Sequence, residues 1–408
     1  MKLLVKNRQN FLNSLNPEVS SVTSVVRRYL DVVRFEEDEG KDRELKALVN
    51  DASIREGARI FPCFDYRGVH VSILDETTLM RTGTLKSIDG AVSIARSLQR
   101  GDRRVVLETG GNTGTALCAY GSRMGMELFV FMPAENIYLL NSGIFNSKGV
   151  HLAAVDKPGM VKPVADAFTE ATRYARHIPE TPWRYEAAMF RGLFILEYCL
   201  LHGGFDWMSQ TISAAFGPIG IYGALQAFSD DLGSLPRFLG VQQKANCPMY
   251  TSWKSGSEKI EAVELESTSQ LLTRVMYDSK PHTYATYQDL REVLRLTDGD
   301  LDTIDHEEFE KMLEYRFDGL SIIEVLAENG VNVTFMNGSI VEKTGLIAIA
   351  GTLKAIDCGR IPEGSRVLCN LTSACSLSDG KTVAERRINS IEEALDYSWE
   401  VRERNHDA

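Results

Sequence analysis

The sequence has no long apolar run, no paired cysteines and no excess of basic residues. Its seven cysteines are scattered over 408 residues and never form a C-x-x-C pair. Such usage is typical of a reducing compartment, so we expect a cytoplasmic protein without disulfides. No segment approaches the roughly 20 consecutive apolar residues of a membrane helix. The first residues, MKLLVKNRQN, have the pattern of neither a signal peptide nor a membrane anchor. We therefore expect no membrane contact.

The charge balance argues against a nucleic-acid partner. The net charge is -11, whereas duplex binding needs a basic face that displaces counterions from phosphates. Hydrophobic residues make up 44% and charged residues 25%, which are ordinary values for a globular protein. The length suits two lobes, because domains usually run to about 100–200 residues.

Short β-type runs alternate with amphipathic helical runs over much of the chain, and this rhythm predicts βαβ units and parallel sheets. Residues 258–343 have mostly helical patterns, and RVLCNL (366–371) predicts one further buried strand. The first segment contains the charged cluster FEEDEGKDRE and is predicted to be solvated. The predicted units are an N-terminal extension (1–55), a first α/β lobe (56–205), a second α/β lobe (206–395) and a tail (396–408).

Two glycine-rich turns follow predicted strands and open predicted helices. In TGGNTG (109–114), the unpaired N–H groups of the helix start favour an anion such as a carboxylate. Thr109 and Thr113 add hydroxyl groups, and Asn112 adds an amide. The second turn, GPIGIYG (217–223), offers the same physics for a phosphate, although Pro218 has no N–H. Each turn alone also fits a well-capped helix, and the second is not the dinucleotide pattern G-x-G-x-x-G.

Lys86 lies at the predicted start of an amphipathic helix in TGTLKSIDGAVSIARSLQ. The positive end of a helix dipole disfavours a cation, which lowers the pKa of the amine and helps it act as a nucleophile or base. A solvated surface lysine is the alternative for Lys86 considered alone.

Taken in chain order, Lys86, the TGGNTG turn and the later glycine turn resemble the tryptophan-synthase-like group of pyridoxal phosphate (PLP) enzymes, fold type II. The resemblance implies a two-lobed α/β fold with parallel or mixed sheets flanked by helices. It implies that Lys86 is catalytic and carries PLP as a Schiff base, and that Asn112 binds the ring oxygen. Thr372, in NLTSACS after the last strand, would face the pyridine nitrogen. The cofactor phosphate would bind Gly217, Ile219, Gly220 and Ile221, and the substrate carboxylate would bind Thr109, Gly110, Gly111 and Thr113.

Within this group the chain resembles the threonine synthase branch, and cysteate synthases in particular, over roughly residues 82–371. The stretch VQQKANCPMYTSWKSG (241–256) contributes to this likeness. The chain departs from the branch in lacking a cysteine-rich zinc ribbon, in the bulky residues of the second turn, and in SIDG after Lys86. The acidic residues Asp298, Asp300 and Asp302 mimic a calcium loop without its glycine, so we interpret them as turn and cap residues and expect no metal.

The resemblance implies replacement at the β-carbon of an amino acid, with phosphate leaving O-phosphoserine and sulfite or another small anion adding. Arg81, Arg191 and Lys244 are candidate cations for these anions. The alternatives are threonine synthase activity on O-phosphohomoserine, a deaminating lyase, and a non-enzymatic protein that binds an amino acid or a partner. A nicotinamide-dependent enzyme is disfavoured by the spacing of both turns. A homodimer is expected from the resemblance.

Overall fold

A computed structural model describes residues 4–5, 8–176, 181–261, 268–277, 285–374 and 378–406. The strands are β1 (Leu4–Val5), β2 (Ser21–Val22), β3 (Val33–Arg34), β4 (Ala58–Tyr66), β5 (Val69–Asp75), β6 (Arg104–Glu108), β7 (Glu127–Pro133), β8 (Val150–Val155), β9 (Ala175–Arg176), β10 (Trp207–Thr211), β11 (Arg237–Gln243), β12 (Asp300–Ile304), β13 (Arg316–Phe317), β14 (Leu320–Ser321), β15 (Phe335–Met336), β16 (Ser339–Ile340), β17 (Arg366–Leu371) and β18 (Arg386–Ile388).

The helices are α1 (Arg8–Asn13), α2 (Val25–Tyr29), α3 (Glu39–Ala52), α4 (Lys86–Arg100), α5 (Asn112–Arg123), α6 (Ser142–Phe145), α7 (Val161–Thr172), α8 (Thr181–His202), α9 (Phe216–Gln226), α10 (Ser229–Leu232), α11 (Pro248–Lys254), α12 (Tyr287–Leu296), α13 (His306–Glu314), α14 (Ile322–Glu328), α15 (Thr344–Asp357) and α16 (Ile391–His406). Short 3-10 helices cover Ala134–Leu139, Pro158–Met160, Thr268–Gln270 and Arg274–Met276. Within the described ranges, no helix is both long and apolar enough to span a bilayer.

The larger sheet has the strand order β12-β11-β10-β17-β5-β4-β2 in the described part of the chain. The strands from β12 to β5 are parallel, whereas β4 and β2 pair antiparallel at one end. Its central strand β17 is RVLCNL, and five of its six residues are buried because helices and neighbouring strands cover both faces. The predicted strand 366–371 is confirmed.

The smaller sheet has the order β18-β8-β7-β6-β9 and is parallel throughout the described pairs. Helices α7 and α16 pack against one another beside it, and α8 packs closely on α9 beside the larger sheet. The two sheets are flanked by helices, so the predicted α/β fold with parallel and mixed sheets is confirmed.

The segment predicted as a solvated extension is packed into the core, so this prediction is wrong. Phe11, Val25, Tyr29 and Leu45 are at most 1% exposed, and β2 pairs with β4 of the larger sheet. The segment is rich in charged residues, and most of those in its helices are exposed or half-buried, although Asp42 is buried. The apolar residues between them face inward.

The predicted lobe boundaries also differ from the sheets. Strands β4 and β5 fall inside the predicted first lobe (56–205), yet β5 pairs with β17 and β4 pairs with β5, so both belong to the larger sheet. Helix α16 runs through the predicted boundary of the tail, and its Tyr397 and Val401 are buried. Pairing with a strand distant in sequence decides these memberships, and the order of elements along the chain does not reveal it.

The acidic residues interpreted as turn and cap residues include two strand residues, so that interpretation is wrong for Asp300 and Asp302. Both lie in β12, which the sequence analysis had placed among helices. Asp302 forms ion pairs with Lys354 and Arg360, and Asp300 with Lys254. Among the described residues there is no cluster of three or more histidine, cysteine or carboxylate side chains that could hold a metal.

Candidate active site

A cavity of about 580 Å³, a size that suits a small ligand, lies beyond the carboxyl ends of strands from both sheets. It follows β6 of the smaller sheet and β10 and β17 of the larger sheet. The carboxyl ends of parallel strands are where open α/β sheets bind ligands. The residues predicted for the site that line this cavity are Lys86, Thr109, Gly110, Gly111, Asn112, Thr113, Gly217 and Thr372.

Lys86 is the first residue of α4, which confirms its predicted place at a helix start. Its Nζ donates to Asp89 Oδ2 at 2.8 Å, and 23% of its side chain stays exposed. Burial lowers the pKa of Lys86 to about 8, Asp89 opposes this shift, and Arg184 and Arg191 add to it. The amine is therefore partly neutral near physiological pH, as a nucleophile or base requires.

The TGGNTG turn ends in α5, which begins at Asn112. Thr109 Oγ1 accepts hydrogen bonds from the N–H groups of Gly111 and Gly114, at 3.1 and 3.0 Å, and so holds the turn. Gly111 has φ 153°, which disfavours any residue with a side chain. Thr113 Oγ1 accepts from Arg184 Nη2 at 3.3 Å. The start of α5 therefore presents N–H groups and hydroxyls to the cavity.

The second turn lies earlier in the chain than the sequence predicts. Strand β10 ends at Thr211, residues 212–215 form the turn, and α9 begins at Phe216. Ile219 N–H donates to Ala215 O, and Gly220 and Ile221 lie deeper in the helix. Their N–H groups are used within the helix, so the prediction that Ile219, Gly220 and Ile221 form an anion cradle is wrong.

Only Gly217 of the predicted phosphate residues lines the cavity, together with residues 212–216. Ala215 has φ 57°, a left-handed conformation that turns the chain from the strand into the helix. Gly220 has a different role, because an added Cβ would lie 2.4 Å from Tyr185 O and 2.5 Å from Ala188 Cβ. It allows α8 and α9 to approach closely.

Thr372 follows β17 and lines the cavity with a hydroxyl that is buried and has no hydrogen-bond partner in the described part of the chain. The segment that carries Lys86 is fixed beside it, since Leu85 N–H donates to Thr372 O at 3.1 Å. A buried hydroxyl without a partner is costly, and a ligand atom in the cavity can satisfy it.

Three side chains at the site were missed by the sequence analysis. Arg184 lines the cavity with its guanidinium 3.9 Å from the centre of the Phe216 ring. Lys162 lies at the cavity edge, 3.8 Å from Glu108. Glu342 is 6% exposed and accepts from Asn112 Nδ2 at 3.3 Å. An available signal for Arg184 was the presence of two arginines in the largely apolar segment PWRYEAAMFRGLFILEY.

Of the three cations predicted to face an anion, none lines the cavity in the described residues. Lys244 is 63% exposed and pairs with Asp305, and Arg81 is exposed. Arg191 lies close behind the wall, 2% exposed, and its Nε and Nη2 contact both oxygens of Glu76 at 2.5 Å. Its Nη2 also donates to Gln210 Oε1 at 2.8 Å.

The chain belongs to the family described as pyridoxal-phosphate dependent enzyme, which matches residues 60–308. It is therefore a PLP-dependent enzyme, and its cofactor is pyridoxal 5′-phosphate. The described residues fit this cofactor: Lys86 offers an amine, Thr372 an unpartnered hydroxyl, and the starts of α5 and α9 offer N–H groups. This membership decides against the nicotinamide-dependent alternative.

Among characterised relatives, the chain is 23% identical to a cysteate synthase of Methanosarcina mazei over 311 residues, which cover 73% of this chain and 70% of that protein. It is 23% identical to a threonine synthase of Synechocystis over 329 residues, covering 78% and 75%. The structure is similar to PLP-bound threonine synthase from Brucella melitensis, with a TM-score of 0.62 at 13% identity, covering 96% of this chain and 90% of that one. These likenesses confirm the predicted fold type II and the predicted similarity to cysteate and threonine synthases.

Proposed function

We propose that the protein catalyses replacement at the β-carbon of an amino acid that carries an anionic leaving group, in the manner of a cysteate synthase. The proposed substrates are O-phosphoserine and sulfite or another small anion. The observation that carries the proposal is the position of Arg184. Arg184 lines the same cavity as Lys86, and it contacts Thr113 at the start of α5 and Phe216 at the start of α9.

We propose that the starts of α5 and α9 each bind a different anionic group. We propose that the α5 start, with Gly110, Gly111 and Thr113, binds the substrate carboxylate, since its N–H groups and dipole favour an anion. Thr109 stabilises this turn, because its Oγ1 accepts hydrogen bonds from Gly111 and Gly114. We propose that Thr109 completes the carboxylate-binding site. The turn at 212–215 and the first residues of α9 offer N–H groups in the same way. We propose that they bind the cofactor phosphate through Gly217 and its neighbours.

We propose that Arg184 binds the anionic leaving group of the substrate. Its side chain is 10% exposed, and a charged hydrogen bond in such a place is stronger than one in water. A guanidinium binds phosphate oxygens through two parallel N–H groups. Lys162 at the cavity edge adds a second positive charge on the path by which an anionic nucleophile enters.

Lys86 is proposed to move the proton. Bound PLP supplies an electron sink that acidifies the α-C–H of the substrate. The amine of Lys86 removes this proton and later returns it, for which a pKa of about 8 is suitable. Asn112 is proposed to bind the ring oxygen and is itself oriented by Glu342. Thr372 is proposed to face the ring nitrogen, where a neutral hydroxyl leaves that nitrogen unprotonated.

A substrate panel tests the proposal. The protein with PLP is incubated with O-phosphoserine, with and without sulfite, and with O-phosphohomoserine, while phosphate, keto acid and amino-acid products are measured. We expect phosphate from O-phosphoserine and a sulfonated amino acid when sulfite is present. Phosphate from O-phosphohomoserine alone would instead establish threonine synthase activity. Keto acid as the main product would establish a deaminating lyase, and no turnover of any of them would overturn the proposed substrates.

Two further expectations stay predictions. The homodimer would give twice the mass of the 45.5 kDa chain in light scattering. The cytoplasmic location would place the protein in the soluble fraction of the cell, apart from secreted and membrane fractions.

A further inference from the structure

Asp89 lies between the candidate catalytic lysine and the candidate leaving-group arginine. Its Oδ2 accepts from Lys86 Nζ at 2.8 Å, and the same oxygen is 3.5 Å from Arg184 Nη2. Asp89 is 5% exposed and lies in the first turn of α4, where the helix dipole stabilises a carboxylate. One buried oxygen therefore serves two cations from two helices.

The charged groups that act on Lys86 come from its own helix, from α8 and from the segment that follows β5. Asp89 lies on its own helix, Arg184 and Arg191 lie on α8, and Glu76 follows β5. Glu76 is engaged by Arg191 through both of its oxygens. Among these groups, Asp89 is the carboxylate in direct contact with the lysine amine.

The contact between Lys86 and Asp89 requires a free amine. Lys86 would hold PLP through its amine, and the amine of an amino-acid substrate would take the place of Lys86 on the cofactor, which would return Lys86 to a free amine. A free Lys86 amine then needs a partner in a buried place, because an unpaired buried charge is costly. The free amine of Lys86 finds this partner in Asp89, whose Oδ2 is 2.8 Å from Nζ.

We propose that Asp89 is a positioning residue that holds the Lys86 amine whenever this amine is not bonded to the cofactor, and that it pairs with Arg184 when the amine is bonded. The role rests on the proposed attachment of PLP to Lys86. Its consequence is that Asp89 and Arg184 act on the lysine with opposite sign. Asp89 favours the ammonium form of Lys86, and Arg184 disfavours it.

Modification of the apoprotein tests the contact without any need for turnover. The rate at which an amine-reactive acylating reagent labels Lys86 is followed against pH by peptide mass spectrometry. In the wild type the rate should level off above a pKa of about 8. In Asp89→Asn the profile should move to lower pH, and if the pKa of Lys86 falls by about one, the neutral fraction and hence the labelling at pH 7 should rise about fivefold. In Arg184→Gln the pH profile of Lys86 labelling should move to higher pH.

The matched control is Asp102→Asn, the same substitution just after the other end of α4, where Asp102 pairs with Arg100. This variant should keep the wild-type profile. Circular dichroism and thermal unfolding of each variant establish that it is folded. Because the two active-site variants are expected to shift in opposite directions, a general loosening of the structure, which would move both the same way, contradicts the proposal.

Borohydride trapping separates this proposal from the function on which it rests. With PLP added, reduction should fix a pyridoxyl group on Lys86 in the wild type and in Asp89→Asn. Addition of an amino acid before reduction should release Lys86 more slowly in the variant, because the freed amine has lost its acceptor. An adduct in both proteins with equal release rates would overturn the role of Asp89 alone. No adduct in the wild type would overturn the attachment to Lys86 and, with it, this role.

Discussion

Thr372 has opposite effects on the protein without and with its cofactor. Its Oγ1 is buried without a partner among the described residues, which costs about 1–3 kcal/mol. Thr372→Val removes this cost, so the apoprotein should become more stable by about 1 kcal/mol. The same change should weaken PLP binding by about tenfold, the value of one hydrogen bond. Urea unfolding of the apoprotein and fluorescence titration with PLP measure the two effects.

Thr352→Val is the matched control for this substitution. Thr352 is equally buried, but its Oγ1 is satisfied by Ala348 O at 2.8 Å and Ser209 Oγ at 2.6 Å. The control should therefore lose about 1 kcal/mol of stability and bind PLP as before. A loss of apoprotein stability in both variants would show that Thr372 is already satisfied without the cofactor.

Lys86 should make the stability of the apoprotein depend on pH. Its pKa is about 8 in the folded chain against an ordinary 10.5. Between these values the unfolded chain binds a proton that the folded chain does not, so stability rises with pH over this window. We expect the wild type to gain about 2 kcal/mol relative to Lys86→Met between pH 8 and pH 10.

Chemical denaturation at a series of pH values measures this difference. Lys86→Met keeps the length of the side chain and removes the titration. A stability difference that is independent of pH would mean that the amine of Lys86 is solvated in the folded apoprotein.

At the scale of elements, the packing of α8 on α9 depends on Gly220. An added Cβ would lie 2.4 Å from a backbone oxygen of α8, which cannot move without shifting the helix. Gly220→Ala should therefore destabilise the protein by about 1–3 kcal/mol and disturb the start of α9. In a helix free of this contact the same change would stabilise by about 1 kcal/mol. Thermal unfolding and PLP affinity are the measurements.

Gly204→Ala controls for the loss of a glycine, since an added Cβ there meets no atom within 4 Å. It should change stability by less than about 1 kcal/mol. Equal effects of the two substitutions would mean that the helices separate easily.

The glycines of the second turn also explain why its position was misjudged. Glycine predicts turns from local conformation, and three glycines in GPIGIYG suggested a loop. In the structure Gly217 and Gly220 lie in α9. The space that a Cβ would need at either position is occupied by side chains or backbone of other elements. Close packing between helices uses glycine as readily as a turn does.

At the scale of the whole molecule, the first residues of the described chain contribute to the core. Phe11 is fully buried and packs on Tyr29 and Phe228, with ring centres 6.0 and 5.0 Å away. Phe11→Ala should cost about 3–5 kcal/mol. Urea unfolding measures this loss, and Gln9→Ala, an exposed position of the same helix, should leave stability unchanged. Equal stability of both variants would restore the interpretation of a solvated extension.

The sequence by itself determined the α/β class, the cofactor and the likeness to the threonine synthase branch. Helix starts, buried strands and the order of Lys86, Asn112 and Thr372 are local patterns, and each can be recognised without knowing its neighbours. The roles proposed for these three residues stay predictions.

Only the tertiary structure decided the sheet to which each strand belongs, which glycine reaches the cavity, and which cations surround Lys86. Asp89 and Arg184 are distant in sequence, and nothing in the sequence distinguishes them from other charged residues in helices. Arg184 Nη2 lies 3.5 Å from Asp89 Oδ2 because α4 and α8 pack side by side. Burial and charge then set the pKa of Lys86, and both depend on distances that the fold alone fixes.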